Sequence, residues 1–162
     1  MECKIKYLKY YRMKTRLNYS KDFPEAIKGM LELEKYVHSS GLERPLYELV
    51  KTRASQINGC AYCLDMHTKD ARRAGETEQR LYALSAWRET PFYTGRERAA
   101  LEWTEALTLI SENDVPDELY ENVSNHFSEK ERVALTMAII AINGWNRLAI
   151  SFRTVPGSYE PE

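Results

Sequence analysis

The chain has 162 residues, enough for one domain with a sizeable core and no dependence on disulfide staples. Hydrophobic residues at 43% and charged residues at 29% are ordinary for a globular protein and far from the disordered class. Lys+Arg 23 against Asp+Glu 24 leave a formal net charge of -1, so no overall field draws the chain to nucleic acid or an anionic membrane, and neither partner is expected.

The start, "MECKIKYLKYYRMKTRLNYS", is basic but lacks the apolar stretch and small-residue cleavage site of a secretion signal, which makes a cytoplasmic location the expectation. Residues 1–19 read as a basic N-terminal extension, poorly ordered at its start. The internal Met13 raises the alternative of an upstream start for residues 1–12, and Cys3 in this stretch reads as an exposed thiol without a role. Residues 20–153 read as a single helical domain. In "DFPEAIKGMLELEKYVHSSG", cap-type Asp22 and Pro24 open a first helix whose Ile27, Met30, Leu31, Leu33 and Val37 share one side and which stops at Gly41. A second helix runs from about Arg44 to Ile57, with Leu46, Leu49, Val50 and Ile57 recurring at helical spacing, and ends at the turn pair Asn58-Gly59. A third starts at Cys60 and ends at Gly75. Thr77 caps "EQRLYALSAWRE", which Pro91 terminates.

"TGRE" (Thr94 to Glu97) and "SEKE" (Ser128 to Glu131) both have the spacing of a capping box, and each opens a long helix. Between them "VPDELYENVSNHF" reads as a short helix beginning at Pro116. The longest apolar run, Ala134 to Ile142, falls short of the roughly 20 residues that span a bilayer. It is apolar around most of its circumference, so it is either the central helix of a bundle or a subunit interface. No alternating strand pattern appears, and the class is all-α, a compact bundle of about six or seven helices. The tail, residues 154–162, has two prolines and a glycine and is expected to be loosely held.

"NGCAYCLDMH" concentrates the chemistry. On a helix of 3.6 residues per turn, Cys63 lies about 60° and His67 about 20° from Cys60 around the axis, so all three share a face. The pair sits at the first turn, where unpaired N–H groups and the positive end of the dipole favour a thiolate, Cys60 more than Cys63. A thiolate beside a histidine is a nucleophile with a proton partner. Haem attachment needs a histidine directly after the second cysteine, where Leu64 stands, and a thioredoxin-type site needs a preceding strand, where this chain has a helix. Zinc wants four ligands, which would require Glu48, His38, His126 or a neighbouring subunit to add to Cys60, Cys63 and His67. A buried pair of small cysteines without chemistry is the remaining reading.

"ELVKTRASQINGCAYCLDMHTKDARRAG", from Glu48 to Gly75, resembles the carboxymuconolactone decarboxylase superfamily, specifically its alkylhydroperoxidase D-like branch. Glu48, Cys60, Cys63 and His67 match the branch motif position for position, and "INGWNR" (Ile142 to Arg147) is similar to a stretch of its small members. The resemblance implies an all-α homo-oligomer, a trimer or hexamer, acting as a thiol-dependent peroxidase without metal or organic cofactor. It implies Cys63 as the peroxidatic thiolate, Cys60 as the partner that closes the disulfide, and Glu48 and His67 as a proton relay. A hydroperoxide would be the substrate, and a lipoyl-bearing or thioredoxin-like protein the external dithiol reductant. Tyr62 stands where the branch has a histidine, which lowers the expected reactivity of Cys60. Other readings of the same pair are a disulfide reductase or redox sensor acting on a protein partner, and a zinc-binding oligomeric module.

Trp145, Asn143 and Asn146 are candidates for the substrate pocket together with Tyr62, with Gly144 among them permitting a close approach; packing between helices is the alternative. His38 reads as a helix-terminal residue facing carbonyls, Arg53 as the partner of a carboxylate, and the run Lys69, Asp70, Arg72, Arg73 as a solvated face.

Overall fold

A computed structural model describes residues 14–161. The stretch 1–13, with Cys3 and the start of the expected extension, and Glu162 lie outside the described residues. Every regular element described is helical: α1 (Tyr19–Asp22), a 3-10 turn (Pro24–Ile27), α2 (Lys28–Ser39), α3 (Arg44–Asn58), α4 (Ala61–Arg73), α5 (Glu78–Ala83), a second 3-10 segment (Leu84–Glu89), α6 (Gly95–Thr108), α7 (Asp117–Ser124) and α8 (Glu129–Phe152). The class is all-α, as the sequence implied.

The helix count exceeds the expected six or seven because the first helix is not continuous. Pro24 has no N–H to donate and disfavours the helical region for the residue before it. Phe23 accordingly sits at φ -137°, ψ 60°, separating α1, capped by Asn18, from the turn that leads into α2. The fourth expected helix also changes character: after Ala83 it tightens into the 3-10 segment with Ala86 out of helical geometry at φ -118°. There Arg98 donates to the carbonyls of Trp87, Arg88 and Thr90 at the end of the segment, where helix carbonyls lose their intrahelical partners. Both capping boxes form as read, Thr94 with Glu97 and Ser128 with Glu131.

The fold is organised around α3, which packs on α4, α6 and α8. Its residues from Leu46 to Thr52 are buried without interruption, so this helix, and not α8, is the central one. Leu46 and Val50 join Trp103, Val123, Phe127, Leu135 and Ile139 in one apolar cluster, while Leu49 faces Leu84, Trp87 and Leu101 on the other side. Full burial of each such side chain contributes about 1.5–3 kcal/mol. α8 is 24 residues long, longer than the apolar run alone, and meets the length and composition of a membrane-crossing helix. Its Ala134–Leu135, Ala138–Ile139 and Ala141–Ile142 steps are buried inside the fold, whereas Val133, Ile140 and Ile150 are about half exposed, at 55%, 51% and 45%. Gly144 provides the close approach expected of it, but toward α2: a Cβ there would meet the Met30 methyl at 2.7 Å.

The C-terminal residues follow α4 instead of hanging free. The Gly157 N–H donates to Asp65 (2.9 Å), Lys69 donates to the Tyr159 carbonyl (2.8 Å), and the Tyr159 hydroxyl donates to Asp70. At the other end of the domain the Arg16 N–H donates to the Phe152 carbonyl at 2.9 Å, which ties the segment before α1 to the end of α8.

Candidate active site

The turn between α3 and α4 is built by Gly59, whose φ of 68° lies in the left-handed region that a side chain disfavours. It reverses the chain so that α4 runs back along α3, and it leaves Cys60 as the N-cap of α4. The Cys60 Sγ accepts the Cys63 N–H at 3.3 Å, doing with sulfur what a serine or aspartate does with oxygen. Cys60 and Cys63 are joined as a disulfide, with Cα atoms 5.4 Å apart. Both are buried, in an apolar cluster with Ala54, Ile142 and Ala149. In this disulfide form the pair offers no thiolate to a metal.

The two sulfurs are not equivalent. A cavity of about 560 Å³ lies between α2, α3, α4 and α8, and Cys63 lines it while Cys60 does not. His67, one turn beyond Cys63, lines the same cavity, as does Glu48 from the facing side of α3. His67 Nδ1 and Glu48 Oε2 are 2.8 Å apart, both residues almost wholly buried. His67 Nε2 is buried and has no hydrogen-bond partner.

Burial penalises charge on both members of this pair. Glu48 is pushed up to about 7, first by desolvation and second by the negative charge of Asp70, against Lys51, Arg44 and His38. His67 is pushed down to about 3, first by desolvation and second by the positive charge of Lys51. The imidazole is therefore neutral at physiological pH, and the proton on the hydrogen bond decides which nitrogen carries hydrogen. With Glu48 ionised, Nδ1–H donates to it and Nε2 presents a lone pair. With Glu48 protonated, its O–H donates to Nδ1 and Nε2–H becomes a donor. One proton on Glu48 thus switches Nε2 between base and acid.

A second polar cluster forms the opposite wall. Glu34 of α2 accepts both contacts of Lys51 Nζ (2.6 and 2.7 Å), the Tyr47 hydroxyl (2.7 Å) and the Trp145 indole N–H (2.8 Å). Lys51, with 2% of its side chain exposed, also lies 4.2 Å above the Tyr47 ring. Burial drives its pKa down and Glu34 resists that, while burial raises Glu34 and is more than offset by Lys51 together with the Tyr47 and Trp145 hydrogen bonds. The sequence reading did not select Glu34, Tyr47 or Lys51. The signal was available, because Glu34 sits four residues after Met30 and three before Val37 in the apolar stripe of its helix.

Of the residues expected to line the pocket, Trp145 and Tyr62 do. Tyr62 has its pKa raised by burial, then by Tyr19 and Asp65, so it is no base at neutral pH. Asn143 and Asn146 are set back from the cavity and act between helices instead. Asn58 donates to both (3.0 and 2.8 Å), and Asn146 donates to Ser55 (3.1 Å), which holds the end of α3 and the Gly59 turn against α8. His38 faces the cavity, 3.4 Å from the Tyr47 hydroxyl, and not the helix-end carbonyls. His126 is spent elsewhere, with Nδ1 on the Asn122 carbonyl. Arg53 pairs with Glu105 at 2.7 Å, the carboxylate role expected of it. Asp70 departs from the solvated face assigned to it and is buried.

A family model described as the carboxymuconolactone decarboxylase family matches residues 21–106. A Bacillus subtilis (strain 168) protein, the uncharacterized YdfG, is 50% identical over 139 residues, covering 86% of this chain and 95% of that protein. The crystal structure of a protein of unknown function from Agrobacterium tumefaciens, provisionally named as antioxidant defence protein AhpD, superposes with a TM-score of 0.86 at 51% identity over 90% of this chain and all of that one. The alkylhydroperoxidase AhpD core of an uncharacterized peroxidase-related protein from Ralstonia eutropha JMP134 shares the fold at 17% identity, with a TM-score of 0.76 over 86% of this chain and 74% of that one. With 86 of its residues inside the family model and about half of the aligned positions identical to these relatives, the chain belongs to the carboxymuconolactone decarboxylase family, in its AhpD-like branch.

Proposed function

We propose that the protein is a thiol-dependent peroxidase that reduces hydroperoxides with the Cys60/Cys63 dithiol. The observation that carries this reading is the placement of Cys63 in the wall of the cavity, one turn from the unpartnered Nε2 of a histidine whose other nitrogen is bonded to a carboxyl group balanced near neutrality. In the reduced protein the Cys63 thiol gives its proton to Nε2 while Nδ1 passes one to Glu48. The thiolate attacks the nearer peroxide oxygen, the O–O bond breaks, and the alkoxide leaves as alcohol with the proton returned through His67. Cys63 is then a sulfenic acid. Cys60, at the helix N-terminus, displaces its hydroxyl as water and forms the disulfide. An external dithiol, borne by a lipoyl or thioredoxin-like protein, restores the pair by exchange.

The half-exposed stripe of Val133, Ile140 and Ile150 on α8 is where copies of the chain would meet in a homo-oligomer. The provisional name of the Agrobacterium relative agrees with an antioxidant role for this chain.

The test is stopped-flow oxidation of the fully reduced protein by tert-butyl hydroperoxide, following disulfide formation. Cys63→Ser abolishes fast oxidation, Cys60→Ser stops at a sulfenic acid trapped by dimedone, and Glu48→Gln slows the reaction by about 10²-fold or more. Wild-type oxidation no faster than that of a free thiol would sink the peroxidase and assign the dithiol to reduction of a partner protein.

A further inference from the structure

Asp70 is the acidic residue nearest the candidate relay that the mechanism above leaves without work. It lies three residues after His67 and seven after Cys63, on the face of α4 that looks into the cavity, and 8% of it is exposed. Its carboxylate lies within 4.8 Å of the corresponding atoms of both Glu48 and His67. A buried carboxylate needs hydrogen bonds or a cation to hold it. Among the described residues no lysine or arginine pairs with Asp70. What binds it is the Tyr159 hydroxyl, 2.8 Å from one oxygen and 3.0 Å from the other.

The tail that brings Tyr159 is itself seated on α4. The Gly157 N–H meets Asp65 and Lys69 holds the Tyr159 carbonyl, so these two positions on one edge of the helix receive the segment beside Asp70. Gly157 makes the turn at φ 102°. Tyr159 and Glu160 then reach the cavity wall. α4 thus shows Cys63 and His67 to the cavity and Asp65 and Lys69 to the tail, with Asp70 on both sides at once.

We propose that Asp70 and Tyr159 are positioning residues for the Glu48–His67 pair, the tail hydroxyl anchoring a carboxylate whose fixed charge and place set how readily Glu48 holds its proton. The proposal rests on the relay reading of that pair. The other charges facing Glu48 do not substitute for Asp70. From α3, Lys51 is closed on Glu34 of α2; Arg44 of α3 is exposed and of opposite sign; His38 of α2 is exposed; Glu160 is exposed in the tail itself. Burial supplies the larger part of the upward pull on Glu48 and Asp70 the next.

The experiment titrates the Glu48 side-chain carboxyl by ¹³C NMR in the full chain, identified by its loss in Glu48→Gln, alongside the pH–rate profile of oxidation by tert-butyl hydroperoxide. Asp70→Asn is expected to lower the Glu48 midpoint by about one pH unit. Tyr159→Phe, which keeps the ring and removes only the donor, moves it the same way by less, and Asp70→Glu restores part of the shift. The rate profile moves with the titration. A Glu48 midpoint and rate profile unchanged in both Asp70→Asn and Tyr159→Phe would overturn the proposal. The titration reads the relay without peroxide, so a shifted midpoint in a protein that reacts slowly sinks the peroxidase and not this inference, and an unshifted midpoint in an active peroxidase does the reverse.

Discussion

Two buried residues with opposite displacements make Glu48 and His67 a signature in the pH dependence of stability. The folded chain retains the Glu48 proton that the unfolded chain releases, so its contribution falls as pH rises from the ordinary 4.5 to about 7 and is constant above. His67, lowered from 6.5 to about 3, works in the opposite sense: its contribution is complete above 6.5 and is lost as pH falls through that window. Glu48→Gln therefore gains stability relative to wild type as pH rises from 4.5 to 7, measured by urea unfolding at pH 4.5, 5.5 and 7; a constant difference would contradict burial as the cause. The Lys51–Glu34 pair gives a second expectation. Lys51→Met strands the Glu34 charge and destabilises by about 3–5 kcal/mol, whereas Lys51→Met with Glu34→Leu costs much less, because no unpaired charge is left. A single mutant as stable as the double would show that Glu34 is hydrated. That Cys60, Cys63 and His67 share a helix face could be read from their spacing, whereas Glu48, on the neighbouring helix, was legible only through the family resemblance. Of Glu34, Lys51 and Asp70 only Glu34 carried a hint, its place in the apolar stripe of α2; the burial of all three is declared only once a distant segment, the facing helix or the tail, supplies a partner.

Local sequence determined most of the elements, since caps and breakers act within a few residues. Thr94, Ser128, Thr77 and Gly59 mark ends that the structure reproduces, and Pro24 marks a break inside the first helical stretch. Gly59 is the element-scale point of greatest consequence for the site, as it sets both the left-handed turn and the seat of Cys60. Gly59→Ala finds no steric obstacle but forces a side chain to φ 68°, at about 1–2 kcal/mol. Differential scanning calorimetry is expected to show that loss, and the oxidised pair should become easier to reduce as the N-cap shifts. A variant of unchanged stability would mean the turn relaxes to another conformation.

At the scale of the molecule the exposed α8 stripe carries the last expectation. Static light scattering should find the chain as a homo-oligomer, and Ile140→Glu, which charges the middle of the stripe without touching the core, should dissociate it; a monomeric wild type would leave α8 simply exposed. The all-α class, most helix borders and the shared face of Cys60, Cys63 and His67 were determined by the sequence itself, because capping, periodicity and spacing along a helix are local properties. Only the tertiary structure decided that α3 and not α8 is central, that Cys63 and not Cys60 meets the cavity, that Asn143 and Asn146 brace helices, and that the tail reaches Asp70. Each of these depends on which faces of distant segments meet, and burial, which sets the protonation of Glu48 and His67, exists only after they have met.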